Sequence, residues 1–426
     1  MHYMQTQQKK ISIKNYLLQL RTKKWFRVIT ISMLSFVLSY SVLYKVISSP
    51  LFSLQKGNDF EMSDFYNQVA NNRPTRTLNA DIVVIGIDNC SRLDVAQIIQ
   101  TISYTQPKAI GLDVFFSYKS TEDSLIIETF NQTPNLVLAY DAYHETSTAF
   151  APALTQVHWG SVNLIAKQAL GTIRQFKPSF NDSIYAFSAK LAQLTDSIAF
   201  QYLQERNNEL ETICYPSQEF EIINGIEILD GTIDLFTLEE MLYNKIVLVG
   251  DIHNPFDQHQ TPISHNTPGI IINAYILATI LNQSYIETTP TFINWTIAFI
   301  ISLLLSLMIV SFQGSNLLKS YTTFAIRIFQ LLLIALFLYI GCYVFVHNHL
   351  YCNFAPSLLM VALGVLATAV EPIVYLVLRW CIKTCFLILH QSKKGLIFVK
   401  KVVCKLHKRY LQKKKKKQKQ EQEQKN

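Results

Sequence analysis

The chain has 426 residues, of which 50% are hydrophobic and only 16% are charged, and its formal net charge is +8. This composition is too apolar for a purely water-soluble protein of this length. It predicts a membrane protein.

In chain order, a basic leader comes first, with Trp25 expected at the membrane boundary. Four apolar segments are each long enough to cross a bilayer. They run from Phe26 to Ile47, from Phe292 to Phe312, from Ile326 to Val346 and from Phe354 to Leu378. The first segment is long, starts well inside the chain and has no good small-residue cleavage site, so we interpret it as an uncleaved anchor.

Charge is distributed unevenly along the chain. Residues 48–290 carry 12 Lys and Arg against 27 Asp and Glu, whereas the rest carries 26 against 3. Because basic flanks stay in the cytoplasm, both ends are predicted inside and the acidic segment outside. Topology thus explains an asymmetry that could otherwise suggest nucleic-acid binding, and no nucleic acid is expected as a partner.

The acidic segment is predicted to alternate strands and helices. Between Asp81 and Phe116, two apolar runs, DIVVIGID and KAIGLDVFF, flank a helix that begins at Ser91 and stops before Pro107. Neither run alternates polar and apolar residues, as expected for neighbouring parallel strands of one βαβ unit, covered on both faces. Further strands are predicted over 135–140, 162–164, 171–176, 220–228 and 245–250, and further helices over 124–130, 183–203 and 268–281.

The fold class that follows is an α/β extracytoplasmic domain with a mainly parallel sheet, plus four transmembrane α-helices. The predicted organisation is a basic cytoplasmic leader (1–25), a first span (26–47), the extracytoplasmic domain (48–290), three further spans (291–378) and a basic cytoplasmic tail (379–426).

Three predicted strands end in an aspartate, at the sheet edge where open α/β proteins carry their sites. If these strands are neighbours, their carboxylates could hold a cation or hydrogen-bond a polar ligand. The candidate ligand-binding residues are Asp88, Asp113, Asp123, Asp251, Asp257 and Thr261. The alternative is that these aspartates cap helices or pair locally, Asp123 above all. Arg174 or Lys108 is expected to supply a balancing positive charge.

Other chemistry is weakly indicated. His253, His259 and His265 share one loop, but their spacing matches no zinc pattern, and no metal or cofactor is predicted. Nucleophile-elbow, Walker and dinucleotide motifs are missing, so no catalytic residue is assigned and the protein is not expected to be an enzyme.

Glu371 is an acidic residue within the last predicted span. Three interpretations stay open for it: a functional residue, a group that snorkels to the membrane surface, or a group paired with another helix. The sequence leaves open whether disulfides form between Cys90 and Cys214 and between Cys342 and Cys352.

The joint pattern resembles the second type of CHASE domain, the cyclase and histidine kinase associated sensory extracellular domain, followed by three spans. The motifs are D-I-V-x-x-x-I-D, P-K-A-I-G-L-D-V-x-F-S and K-I-V-L-V-G-D, then D-x-x-x-T-P and P-G-x-x-x-x-A. The matching residues are Asp81, Ile82, Val83, Ile87, Asp88, Pro107, Lys108, Ile110, Gly111, Leu112, Asp113, Phe116, Ser117, Gly250, Asp251, Asp257, Thr261, Pro262, Pro268, Gly269 and Ala274.

This resemblance implies a ligand-sensing domain in a bacterial inner membrane that signals to a cytoplasmic cyclase, kinase or phosphatase. The Trp-Pro-rich stretch common in the family is missing. No catalytic domain fits the 48 residues after Leu378, so we expect a separate output protein. The Lys run 413–417 is expected to bind anionic lipid. The sequence leaves open whether the protein forms a homo-oligomer. The alternatives are a scaffold protein that binds an envelope partner without a ligand, and an undetected enzyme at the strand-end carboxylates.

Overall fold

The computed structural model describes residues 24–42, 60–72, 77–166, 171–180, 183–216, 218–312, 319–364, 366–378, 380, 381 and 384. The chain divides into two compact units. The larger unit comprises residues 39–300 and 325–359, and the smaller unit comprises 1–38, 301–324 and 360–426. Nearly all of the predicted leader and tail lies outside the described residues.

The strands all belong to the larger unit. They are β1 (Thr77–Gly86), β2 (Ala109–Asp113), β3 (Leu136–Tyr140), β4 (His158–Ser161), β5 (Ile165–Ala166), β6 (Ile173–Phe176), β7 (Glu211–Thr212), β8 (Gln218–Asn224), β9 (Ile246–Gly250), β10 (Gln258–His259), β11 (Thr267–Pro268), β12 (Glu287–Thr288) and β13 (Leu350–Tyr351).

The helices include those of the membrane region. They are α1 (Lys24–Val42), α2 (Met62–Asn71), α3 (Arg92–Tyr104), α4 (Asp123–Asn131), α5 (Phe187–Thr195), α6 (Ser197–Arg206), α7 (Gly225–Leu229), α8 (Leu235–Leu242), α9 (Gly269–Leu281), α10 (Thr291–Phe312), α11 (Lys319–Asn348), α12 (Ala355–Gly364) and α13 (Leu366–Leu378).

A six-stranded sheet with the order β4-β3-β2-β9-β1-β8 forms the centre of the larger unit, and every pairing in it is parallel. The predicted α/β class with a mainly parallel sheet is therefore confirmed. One detail was wrong: β1 and β2 are not direct neighbours, because β9 lies between them. Strand order depends on pairings between distant parts of the chain, which the local pattern of two apolar runs does not contain.

Helices cover both faces of the sheet, which explains the unbroken apolar strands. In β1, Ile82 and Val84 pack in the cluster that contains α5, α6 and α9. Val83 and Ile85 point the other way, into the cluster that contains α3, α4, α7 and α8. Each strand residue is thus buried whichever face it occupies.

Local capping sets several helix boundaries. Ser91 begins α3, where its hydroxyl accepts the N–H of Asp94 while its own N–H donates to Asp94 Oδ2 at 2.7 Å. The predicted helix over 183–203 is instead two helices, because Asp196 caps α6 by accepting the N–H groups of Ile198 and Ala199.

Three predicted strands differ from the observed elements. The strand predicted over 162–164 lies four residues earlier, as β4. The one over 171–176 is β6, which belongs to a separate antiparallel sheet with β5 and β7. The one over 220–228 ends at Asn224, whose side chain accepts the N–H of Ile226 and begins α7.

Two helices in the described part of the chain are long and apolar enough to cross a membrane, over Thr291–Ser311 and Phe324–Asn348. A third candidate is the pair α12 and α13, bent by 65° at their junction. These helices follow the α/β domain where three spans were predicted. Helix α1, whose 19 described residues include Lys24 and Arg27, is not among the candidates. The first predicted span, of which 43–47 lie outside the described residues, stays a prediction.

Within the smaller unit, Arg27 and Glu371 form a bidentate ion pair between α1 and α13. Nε of Arg27 lies 2.9 Å from Oε1 of Glu371, and Nη2 lies 3.0 Å from Oε2. Glu371 is only 1% exposed. A buried carboxylate among apolar helices is costly unless paired, so of the readings left open for Glu371 the structure favours the helix-paired one.

The four described cysteines of the larger unit, Cys90, Cys214, Cys342 and Cys352, are free thiols. Cys90 packs against the face of the sheet that α3 covers. Cys214 packs in a different cluster, with Tyr66 and Cys342. Neither of the disulfides considered from the sequence is formed in this structure.

Gly111 lets α5 approach the sheet closely, and Gly111→Ala is expected to destabilise the fold. A Cβ on Gly111 would lie 2.7 Å from Cζ of Phe187 and 2.9 Å from Cδ1 of Leu191. Overpacking of this kind costs about 1–3 kcal/mol. Thermal denaturation of the full chain measures the loss. The double variant with Phe187→Leu should lose less than the sum of the two single losses, and strict additivity would contradict the proposed clash.

Candidate functional site

The three strands with an aspartate at or just after their carboxyl end lie side by side, in the order β2-β9-β1. In the register of the sheet, Gly250 pairs with Gly86 on one side and with Asp113 on the other. Asp88, Asp113 and Asp251 therefore leave the sheet at nearly the same level. The helix after β1 packs on one face of the sheet and the helix after β9 on the other. Such a switch point opens the crevice in which α/β sheets bind ligands.

Asp88 is held in its charged form by the loop that follows β9. Its Oδ1 accepts the N–H of Ile252 at 3.0 Å and of His253 at 2.7 Å, and His253 Nδ1 lies 3.0 Å from Oδ2. Burial opposes ionisation, but these hydrogen bonds outweigh it and lower the pKa of Asp88 below its ordinary value. Asp88 thus fixes the β9 loop over the sheet edge.

Asp113 has the opposite electrostatic character. Its Oδ2 accepts a hydrogen bond from Nδ2 of the buried Asn273 on α9, at 3.0 Å. Desolvation by the surrounding protein, followed by the negative charge of Asp257, raises the pKa of Asp113 to about 7. Near neutral pH this carboxyl therefore titrates between a neutral and a charged form.

Asp251 and Asp257 complete the cluster, which we call the acid cluster: Asp88, Asp113, Asp251 and Asp257. Burial and then the charge of Asp88 raise the pKa of Asp251. Oδ2 of Asp257 accepts the N–H of Gly269, the first residue of α9, at 3.1 Å. A Cβ on Gly269 would lie 2.6 Å from Oδ1 of Asp257, so only glycine leaves room for this carboxylate.

The prediction that Arg174 or Lys108 supplies a positive charge to balance the acid cluster was wrong. Arg174 forms a bidentate pair with Asp64 on α2, at 2.7 and 2.6 Å. Lys108 precedes β2, at the opposite edge of the sheet, where its Nζ lies 3.9 Å from Asp81. Two histidines contact the acid cluster instead: His253 lies against Asp88, and Nε2 of His259 lies 3.1 Å from Oδ1 of Asp257.

Asp123 and Thr261 are engaged elsewhere. Asp123, the first residue of α4, forms an ion pair with Arg92 and accepts the N–H of Ser120 at 2.8 Å, which is the local pairing considered as the alternative. Thr261 donates its hydroxyl to the carbonyl of Ser264 at 3.2 Å and so holds a turn. It lines a cavity of about 310 Å³ beside α2 instead of joining the acid cluster. A ligand-binding role for these two residues stays a prediction.

Two further residues at this edge escaped the sequence prediction. Asp141 follows β3 directly and accepts the N–H groups of Tyr143 and His144 and a hydrogen bond from Nδ2 of Asn163 at 2.9 Å. Although burial opposes ionisation, these donors lower the pKa of Asp141 to about 2. The run NLVLAYD, an apolar strand ending in an acid, carried this signal. Asn273 had no such signal, since it lies in an apolar helix.

The arrangement suits recognition of a polar ligand. Among the described residues, no group of three or more His, Cys, Asp or Glu side chains could hold a metal ion. The cluster instead offers carboxylate acceptors whose pKa values are shifted in opposite directions, and two of them, Asp113 and Asp257, are in direct contact with α9. A ligand that brings hydrogen-bond donors, or positive charge, is complementary to such a cluster.

Comparison with known proteins gives one match. The sequence model of the CHASE2 domain matches residues 41–311. Searches of curated proteins and of solved structures found no match. The matched range contains the six-stranded sheet, the acid cluster and α9, and it continues to the end of the span Thr291–Ser311.

Proposed function

Because the chain belongs to the CHASE2 family of sensory extracellular domains of cyclase and histidine kinase proteins, we propose that its α/β domain binds a small polar ligand or an envelope partner at the acid cluster. The bound state changes how α9 is held, and α9 relays the change towards the membrane helices. This membrane protein is then a receptor whose two arrangements differ in population with and without ligand.

The contact between Asp113 and Asn273 is the observation that carries this proposal. It ties the acid cluster to α9 near the start of the helix, one turn after the Asp257 contact at Gly269. Near the other end, the hydroxyl of Thr279 accepts the N–H of Cys214 at 3.0 Å. With 13 residues, α9 spans about 20 Å, and almost all of it is buried, so a displacement at one end is transmitted as motion of a rigid rod.

Beyond α9 the chain reaches the membrane helices within ten residues. Strand β12 pairs in parallel with β13, the short strand between α11 and α12. Arg206 fixes this region to the domain, since it lies 2.7 Å from both Glu211 and Glu287. A change in α9 thereby acts on the start of α10 and on the end of α11.

Location and partners follow from the same proposal. The acidic α/β domain lies outside the cytoplasmic membrane of a bacterium, in line with the uneven charge along the sequence. The family's association with cyclases and histidine kinases supports a separate cytoplasmic output protein of such a type. The acids act by binding and not by turnover, since backbone N–H groups hold both Asp88 and Asp257.

Ligand-induced stabilisation of the full chain tests the proposal. In detergent solution, a screen of small amines, sugars, amino acids and envelope peptides should yield a compound that raises the melting temperature by linkage. Asp113→Asn is expected to remove most of that shift, because it removes the ionisable carboxylate that would bind a positively charged or hydrogen-bond-donating ligand, although its amide oxygen can still accept the hydrogen bond from Asn273. Asp81→Asn, at the opposite edge of the same sheet, is the matched control and should keep the shift.

Two outcomes would contradict the proposal. One is a ligand shift of the same size in Asp113→Asn as in the unaltered protein. The other is an equal loss in Asp81→Asn, which would assign the effect to general surface charge and not to the acid cluster.

A further inference from the structure

The cavity of about 310 Å³ lies within the larger unit, between α2 and the turn from Gln260 to His265. We call it the turn cavity. Its volume is at the lower end of the range of small-molecule sites. None of the acid-cluster residues lines it, so a ligand here occupies a site separate from the proposed sensory one.

Helix α2 turns a polar face towards the turn cavity. Asp64, Gln68, Asn71 and Asn72 all line it, and their spacing of three and four residues places them on one side of the helix. Gln68 and Asn72 are exposed, so their side-chain amides are open to a ligand. Across the cavity, the half-buried Gln260 adds a further amide.

The two walls of the turn cavity share a support in β6. Asp64 ties α2 to Arg174 of that strand, at 2.7 and 2.6 Å. The carbonyl of Gln260 accepts the N–H of Ile173, the first residue of the same strand, at 2.8 Å. Thr261 holds the turn itself through its hydroxyl. The cavity is therefore largely preformed, which lowers the cost of binding a ligand.

Charge in the lining gives a charged ligand little to bind. Asp64 supplies the only carboxylate among the described lining residues. Both of its oxygens contact Arg174, and Oδ2 also accepts the N–H of Glu61 at 2.9 Å. His265 is exposed, where an ion pair is worth little. The lining thus favours a neutral polar ligand.

The chemistry of the lining matches a sugar. A side-chain amide both donates and accepts hydrogen bonds, and so does each hydroxyl of a sugar. Phe60 lines the same cavity, and its side chain is 61% exposed. Its ring offers an apolar surface for the C–H face of a sugar ring. A purely apolar ligand would instead leave the amides of Gln68 and Gln260 without partners.

We propose that the turn cavity binds a neutral saccharide of one or two rings. Its hydroxyls exchange hydrogen bonds with the amides of Gln68 and Gln260, and one face of a sugar ring packs on Phe60. Bound there, the saccharide bridges α2 and the turn that leads through β11 into α9. This site goes beyond the proposed function, because it does not depend on a ligand at the acid cluster.

Thermal denaturation of the full chain with a panel of sugars tests the proposal, in a detergent without a sugar headgroup. The probes are glucose, galactose, mannose, N-acetylglucosamine, maltose and cellobiose. At least one should raise the melting temperature and saturate, as specific binding does by linkage. Sorbitol, an acyclic polyol without a ring face, should act only as an excluded osmolyte, with an effect that grows with concentration and does not saturate.

Two variants at the turn cavity should weaken the response to that sugar. Gln68→Leu removes an amide at an exposed position, and Phe60→Leu removes the ring but stays apolar. Each is expected to weaken the apparent affinity about tenfold, the equivalent of one strong contact. Gln97→Leu is the matched control, since it makes the same change at an exposed position of α3. It should leave the response unchanged.

The proposal is overturned if no sugar of the panel gives a saturable rise, or if sorbitol saturates in the same way as the sugar. Full retention of the response in either Gln68→Leu or Phe60→Leu would also overturn it. Asp113→Asn should keep the sugar response. A sugar effect that is lost in Asp113→Asn and kept in Gln68→Leu would place the sugar at the acid cluster, so failure of this proposal is separable from failure of the proposed function.

Discussion

Asp113→Asn is expected to make the protein more stable at pH 8 while changing little at pH 4. The folded protein holds the pKa of Asp113 at about 7, above the ordinary value of 3.8. Well below the ordinary pKa of 3.8 the carboxyl is neutral in both the folded and the unfolded chain. As pH rises from about 3 to 7, the unfolded chain ionises first and the folded state loses stability relative to it. An asparagine does not ionise and escapes this loss.

The expected gain is about 2 kcal/mol, reached near pH 7 and constant above it. Full linkage over the shift would give roughly 4 kcal/mol, and we halve it because Asp113 is only half-buried. Chemical denaturation of the full chain at several pH values measures the difference. The amide oxygen of the new asparagine can still accept the hydrogen bond from Asn273, so the contact with α9 is kept.

Asp88→Asn, just after strand β1 at the same edge of the sheet, is the matched comparison, and its effect is expected to have the opposite sign. The pKa of Asp88 is lowered, so its contribution to stability is present above its ordinary pKa and is lost as pH falls through the folded value. Asp88→Asn should therefore destabilise at neutral pH and have less effect in acid. A difference for Asp113→Asn that stays flat between pH 4 and 8 would contradict the raised pKa.

This electrostatic contrast bears on sensing. Since Asp113 is close to half-protonated at neutral pH, a cationic ligand beside it would stabilise its charged form and release a proton on binding. Asp88 has no such freedom, because hydrogen bonds from two N–H groups already favour its charged form. Under the proposed function, Asp113 is thus the one of these two carboxylates that would couple a ligand to a proton and to α9.

The acid cluster could be predicted in outline because strand ends are a local feature. An unbroken apolar run followed by Asp88, Asp113 or Asp251 indicates both a buried parallel strand and an acid at its carboxyl end. The insertion of β9 between β1 and β2 could not be predicted in this way, since it depends on pairing across more than 130 residues of chain. The fit of a central strand is decided by tertiary packing and not by its own pattern.

The sequence likewise did not indicate which residues pair with the charged side chains. Arg174 and Asp64 are 110 positions apart, and nothing in the surroundings of either residue names the other. Asn273 reads as one polar residue in an apolar helix, and only the packing of α9 against β9 directs its amide at Asp113. Asp123 is the contrasting case: its position at the start of α4 already favoured local pairing.

Arg174→Ala is expected to cost about 3–5 kcal/mol, because it would leave the carboxylate of Asp64 buried without its bidentate partner. Asp64 is 5% exposed and Arg174 is 7% exposed. Lys108→Ala is the matched control, since its pair with Asp81 is largely solvated and is worth at most about 1 kcal/mol. Denaturation of both variants of the full chain measures the two costs.

A double variant separates the loss of a partner from the loss of a strong bond. Replacing a buried ion pair by apolar residues of similar size is often close to neutral, so Arg174→Met combined with Asp64→Leu should recover most of the stability lost in Arg174→Ala. A double variant that is as unstable as Arg174→Ala would contradict this account. If stability returns but ligand binding at the acid cluster no longer affects α11, the ion pair is needed for the relay. The reason would be that the pair positions α2, whose Tyr66 packs against Phe345 of α11.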